Sequence, residues 1–230
     1  MTQAAGRIWD IPTRLFHWTL AVGVAAAWWT ADNGYLESHE KIGLGMLSLL
    51  IFRLLWGLVG SPTARFGHFL RGPRAAAGHL GDLLNMRQPI SGGHNPAGGY
   101  AVVLMLAAVF AQATMGLFAT DGFLFDGPLA LLVSSDWSER LTGWHSTWFN
   151  VILGLVALHL TAVAFYVFLS DEDILRAMIT GRKAGLAEET RPGERVLSDG
   201  RTVAVRATLC LAAALGLGWG GVGVIEALFG

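Results

Sequence analysis

The stretch WHSTWFNVILGLVALH, residues 144–159, carries His145 and His159 fourteen positions apart in one apolar run. At ~100° per residue, fourteen steps fall only ~40° short of four full turns, so on a helix both imidazoles share one face. At ~1.5 Å rise per residue they stand ~21 Å apart, most of a hydrocarbon core ~30 Å thick. One helix therefore offers a histidine near each surface of a bilayer, both pointing the same way.

The rest of the chain suits that setting. Of its 230 residues 53% are hydrophobic and only 14% charged, against about 25% charged in an ordinary soluble domain. Mean hydropathy is +0.49. Thirty glycines and nine tryptophans fit helices packed closely and anchored at membrane interfaces. A net charge of -1 gives no ground for nucleic-acid binding. The single cysteine, Cys210, excludes an intrachain disulfide. No CxxCH and no Cys/His zinc pattern occurs, so any haem is held non-covalently.

Five segments are expected to span the bilayer: about 11–31, 39–60, 97–119, 143–170 and 203–226. The first, an apolar stretch from Ile11 to Thr30, is too long for the h-region of a cleaved signal and reads as a retained helix. Between them, Pro73 to Met86 reads as a short surface helix, and 184–202 as a polar linker. The fold class expected is an all-α membrane protein in three parts: a helical region over residues 1–183, then the linker, then an additional C-terminal membrane helix over 203–230.

Loop charge orients the helices. Loop 61–96 carries Arg65, Arg71, Arg74 and Arg87, and loop 171–202 carries Arg176, Arg182, Lys183, Arg191, Arg195 and Arg201. By contrast, 120–142 has only Arg140 against Asp121, Asp126, Asp136 and Glu139. The basic loops and the N-terminus belong inside and, after five crossings, the C-terminus outside. Histidine positions then become depths. His17 and His159 fall in the inner half; His39 and His145 fall at the outer ends of their helices. Each layer takes one histidine from the fourth helix and one from another, a scaffold for two haems stacked across a membrane. A lone intramembrane histidine also reads as a packing residue or a proton-relay group; four that pair by depth favour ligation.

Arg53 lies fourteen residues after His39, on the same stripe. A haem propionate of the inner layer is a natural partner, with snorkelling as the other reading. Arg14, Lys41 and Arg140 are weaker candidates for that role. Gly43, Gly57 and Gly154 read either as room for a macrocycle or as packing glycines. Trp18, Trp56, Trp144 and Trp148 read either as haem-edge contacts or as interfacial anchors. His68, His79 and His94 lack a partner at matching depth and read as surface or turn residues, His94 being the spare ligand candidate.

The stretches WDIPTRLFHW (9–18), SHEKIGLGMLSLLIFRLLWGLVG (38–60), GHNPAGGY (93–100), WHSTWFNVILGLVALH (144–159) and RAMITGRK (176–183) resemble the bacterial cytochrome b561 family, including the b-type cytochrome subunits described with nickel-iron hydrogenases. The resemblance covers most of 7–183. It implies a four-helix bundle with two bis-histidine b haems, ligated by His17, His39, His145 and His159. It also implies electron transfer across the bacterial inner membrane between the quinone pool and a redox partner, often a small c-type cytochrome. Ser138, Glu139, Arg140 and Ser146 are candidate groups near a quinone. Alternatives are a superoxide:quinone oxidoreductase, with Arg140 and Lys41 attracting the anion, and an electron-transfer subunit of a hydrogenase or dehydrogenase. A small proton-coupled transporter is the non-redox alternative, although no broken helix pair or inverted repeat is evident. The additional helix departs from the family pattern and reads as a docking surface, a homodimer contact or an anchor.

Overall fold

The computed structural model describes residues 5–84, 96–169, 174–184 and 200–229. The chain is helical apart from a small two-stranded ribbon. In order come β1 (Ala5–Arg7), α1 (Ile11–Asp32), α2 (Leu36–Val59), α3 (Phe66–Phe69), α4 (Pro73–Leu84), α5 (Pro96–Gly116), α6 (Ser135–Leu169), α7 (Ile174–Thr180), β2 (Arg182–Ala184), α8 (Gly200–Leu215) and α9 (Gly221–Phe229), the last two joined by a π-helical segment, Gly216–Gly220. The helices form two compact units, one of residues 1–15, 54–104 and 156–208, the other of 16–53, 105–155 and 209–230.

This is a multi-pass helical membrane protein with four candidate spans among the described residues, not the five expected. Leu36–Val59, Ala97–Gly116, Ser135–Phe168 and Gly200–Phe229 are long and apolar enough to cross a bilayer. Helix α1 has 22 residues, but Pro12, Thr13, Arg14 and His17 and its weakly hydropathic tryptophans dilute the apolar run below that mark. The expectation of a four-helix bundle plus a fifth span is therefore corrected to an all-α bundle with four candidate spans. An orientation that counted five crossings now rests on the loops between these four. Large apolar side chains such as Leu58, Leu158, Leu160, Leu217 and Leu228 are exposed, as lipid-facing helices require, while Ser48, Arg53, Ser61 and Ser138 are buried.

In the first unit, Asp10 organises the chain. Its Oδ1 accepts the backbone N–H of Thr13 (2.7 Å), capping α1, with Pro12 in the first turn. Its Oδ2 accepts from Trp56 Nε1 (3.1 Å) and from the Ser61 hydroxyl, tying the start of α1 to the end of α2. The motif RAMITGRK closes on the same region. Gly181 ends α7 with φ +80°, a left-handed cap that favours glycine. Its carbonyl accepts from Ile8 N (2.8 Å) and Trp9 N (3.3 Å), and a Cβ there would stand 2.7 Å from the Trp9 carbonyl oxygen. Arg14 donates to the Ile179 carbonyl, and β1 pairs antiparallel with β2, Gly6 opposite Lys183. Arg14 thus serves the end of α7, where a cation meets free carbonyls.

In the second unit the C-terminal helix lies against α2. A Cβ on Gly218 would stand 2.2 Å from Ser48 Oγ and 3.2 Å from Ser48 Cα, the close approach small residues allow. Leu44, Leu129 and Val222 form the neighbouring apolar cluster, with Leu117, Phe118 and Ile225 against it. In the first unit, Arg206 on α8 donates to the Val59 carbonyl at 3.4 Å.

Element boundaries moved in one place that matters. Helix α6 begins at Ser135, eight residues before the expected 143. Residues 135–142 are too polar to read as membrane-spanning, yet they continue the helix for two turns. The surface helix appears as Pro73–Leu84. Residues 185–199, most of the expected linker, and His94 lie outside the described residues.

Candidate functional site

His39 and His145 are brought together within the second unit. Their ring centroids are 5.9 Å apart and the planes nearly perpendicular, at 89°. Each ring is held from behind by a backbone carbonyl. His39 Nδ1 faces the Ala27 carbonyl of α1 at 2.8 Å; His145 Nδ1 faces the Gln112 carbonyl of α5 at 2.9 Å. A carbonyl oxygen only accepts, so Nδ1 carries the proton in both rings. Nε2 is then the lone-pair nitrogen of each. A carbonyl accepting from one ring nitrogen fixes the tautomer and angle of a histidine whose other nitrogen can bind a metal.

Four helices contribute to the layer: α1 through Ala27, α2 through His39, α5 through Gln112 and α6 through His145. Gln112 acts twice, because its side-chain Nε2 also donates to the His145 carbonyl at 2.9 Å. Beside it, Gly116 leaves room for the ring: a Cβ there would lie 3.0 Å from His145 Cε1 and 3.3 Å from Nδ1. Trp148 closes the α5–α6 contact by donating to the Ala108 carbonyl at 3.0 Å.

The spacing of the two rings suits a metal held between them. Two metal–imidazole bonds of about 2.0–2.1 Å, plus about 1.1 Å from each nitrogen to its ring centre, give roughly 6.3 Å between centroids, close to the 5.9 Å found. No group of three or more His, Cys, Asp or Glu suited to a metal is gathered among the described residues; a bis-histidine iron asks for two. Gly43, one turn from His39, has open space where a Cβ would be, as does Gly154. Gly57 does not: a Cβ there would fall 2.0 Å from the Phe66 ring, so it is a packing glycine.

The other candidates separate by surroundings. His17 is half-buried, with Trp18 edge-on at 4.9 Å. His159 is half-buried in α6. His17 and His159 belong to different units and are described separately. Arg53 is 2% exposed, an interior position rather than one snorkelling to a surface. Lys41 pairs with Glu37 one turn away. Arg140 lies over the Trp137 ring at 5.4 Å. The Ser138 hydroxyl donates to the Phe118 carbonyl, a helix–loop tie, while Glu139 and Ser146 are exposed. Trp56 is wholly buried and held by Asp10, so it is neither interfacial nor free to stack on a macrocycle. Trp144 is exposed and packs edge-on against Trp137. His68 is exposed; His79 falls in α4.

Sequence reasoning missed Gln112, Gly116 and the Ala27 carbonyl. A lone amide inside the apolar run of α5 was the one available signal, because a polar group at membrane depth is costly unless it has a partner.

Apolar helices long enough to cross a bilayer, two of which set imidazoles edge-on to one another with each Nδ1 against a backbone carbonyl, define a class: multi-pass helical membrane proteins with a paired-histidine layer. The family model described as prokaryotic cytochrome b561 matches residues 8–181, and the chain belongs to that family. It is a membrane-embedded, cytochrome-b561-like electron-transfer protein. Neither curated proteins nor solved structures gave a match.

Proposed function

We propose that this chain is a di-haem b-type cytochrome of the bacterial inner membrane, carrying electrons across the bilayer between the quinone pool and a redox partner such as a c-type cytochrome. One haem is ligated by His39 and His145. The second is assigned to His17 and His159 on sequence spacing and family resemblance, with Arg53 offsetting a propionate. The observation that carries the reading is the edge-on pair His39–His145, ring centroids 5.9 Å apart, both Nδ1 atoms spent on backbone carbonyls.

A haem held by two imidazoles would supply outer-sphere one-electron transfer. The chain's own residues supply the rest. The carbonyls of Ala27 and Gln112 hold the two rings at fixed angles, so the rings would move little if a group held between them changed charge. The second Gln112 bond locks α5 to α6 at that level. Exposed apolar side chains on α6 and α8 meet lipid and keep water from the helices' outer faces. Loop charge puts 61–96 and 171–202 in the cytoplasm and 117–134 in the periplasm, so the His39–His145 layer lies toward the periplasmic face. The domain division proposed is 1–183 for the cytochrome region, 184–202 for the linker and 203–230 for the additional helix segment.

The purified protein tests this directly. A reduced-minus-oxidised spectrum should show the α-band of b haem, with about two haems per chain after extraction. A correctly folded, colourless protein would refute the reading.

A further inference from the structure

The loop between α5 and α6 presents an apolar tip that the haem reading does not use. Asp121 Oδ1 accepts three backbone N–H groups, from Phe123 (2.8 Å), Leu124 (2.9 Å) and Phe125 (2.9 Å). Gly122 supplies the left-handed residue at φ +75°, and Thr120 and Asp126 form a β-bridge beneath the turn. So constrained, the turn holds two large apolar side chains almost wholly in the open, Phe123 at 94% and Leu124 at 97% exposure. Asp121 and Asp126 lie in the same turn, and Asp136 and Glu139 lie on the first turns of α6, which follows.

Its position follows from the contacts below it. Thr120 N–H donates to Thr142 Oγ1 at 2.9 Å, and Thr142 donates back to the Thr120 carbonyl at 3.2 Å. Thr142 is one helical turn before His145, about 4.5 Å along the axis. The loop is thus fastened to α6 just above the His39–His145 layer. It sits beside the two polar turns, 135–142, that carry α6 beyond its apolar run.

We propose that this tip is the docking point for a small soluble redox protein whose exposed redox edge is apolar and ringed by lysines. The assignment rests on the reading of the His39–His145 layer as an electron-transfer centre. An apolar centre with a charged rim is the anatomy of a transient interface, and four acids against Arg140 select a cationic partner. A lipid surface fits less well, because the carboxylates of Asp121 and Asp126 flank the tip and would have to be drawn toward the membrane with it.

The test uses the full-length holoprotein in lipid nanodiscs, with a basic c-type cytochrome as the probe and an acidic flavodoxin as its counterpart. The basic probe should bind, and a rise in salt should weaken it by about tenfold. A Phe123→Ser/Leu124→Ser double variant should also lose about tenfold, as should Asp126→Asn/Glu139→Gln. The flavodoxin should bind at least tenfold more weakly than the basic probe. Unchanged binding by the Ser double variant, or no binding of the basic probe to wild type, overturns the proposal. So does an environment-sensitive fluorophore attached at Phe123→Cys, in a Cys210→Ser background, that is quenched by brominated lipid and not by aqueous iodide, which would put the tip in the bilayer. The α-band is read in the same samples. Lost binding with an unchanged band supports docking at the tip, whereas a missing band in wild type counts against the haem reading instead.

Discussion

Replacing Asp10 separates the groups it serves. It is buried, and in the folded state it accepts the Thr13 N–H at 2.7 Å, the Trp56 indole N–H at 3.1 Å and the Ser61 hydroxyl. Asp10→Ala removes a helix cap worth about 1 kcal/mol. It also leaves the indole N–H of a fully buried tryptophan unsatisfied, at about 1–3 kcal/mol. The Ser61 hydroxyl can rotate to another acceptor, so its loss belongs near the low end of that range. Together these come to roughly 3–5 kcal/mol. Asp10→Asn should fall between wild type and Ala. It keeps an acceptor for the cap but turns an amide toward Trp56, which has only a proton to offer. Trp56→Phe removes that conflict, so in the Asn background it should cost less than in the wild type, a coupling a double-mutant cycle measures. Thermal unfolding in detergent should show Asp10→Ala about 6–20 °C below wild type, at roughly 2–4 °C per kcal/mol. If Ala and Asn shift the midpoint equally, or Ala by less than about 2 °C, the clasp described for the start of α1 is wrong.

Three further outcomes follow from the same contacts. Gly218→Ala should loosen the C-terminal helix from α2 by about 1–3 kcal/mol. Ser48→Ala should restore part of that stability, because it removes the Oγ that the new Cβ would meet at 2.2 Å; unfolding midpoints of the two single variants and the double check it. Gln112→Ala should cost about 0.5–1.5 kcal/mol of stability and perturb the optical spectrum of one haem only, that of the His39–His145 layer. The carboxyl of Asp121 is held below the usual carboxylate range by the N–H groups of Phe125, Phe123 and Leu124. A depressed folded-state pKa means its contribution is complete above the ordinary value, 3.8, and is lost as pH falls through the lower folded value. Amide-exchange protection at 123–125 should therefore hold from neutral pH down to about 4 and fade only below it, while Asp121→Ala should lack it throughout.

Much of the architecture was legible because it is written in periodicity and composition. The apolar runs gave α2, α5 and α6, and the fourteen-residue histidine spacing gave the shared face of α6. Loop charge turned chain position into depth, and depth grouped His39 with His145, the two rings that the fold sets 5.9 Å apart. What escaped the sequence has physical reasons. The supports of those rings are the carbonyls of Ala27 and Gln112, and a carbonyl acceptor leaves no trace in residue type. The Asp10–Trp56–Ser61 cluster joins positions 46 and 51 residues apart, so no local pattern announces it. Trp56 therefore read as an interfacial or cofactor contact. The first two turns of α6 read as loop because a polar helix end looks like any polar segment. Helix α1 was counted as a span on length; Arg14, His17 and its tryptophans lower its hydropathy below that of the other four.

The account turns on which imidazoles serve the same iron. Haem content and reduced-minus-oxidised spectra of four single variants decide it. His39→Ala and His145→Ala should each leave about one haem per chain, with the same α-band component missing from both. His17→Ala and His159→Ala should each remove the other component. Loss of different components on substituting His39 and His145 would contradict the account.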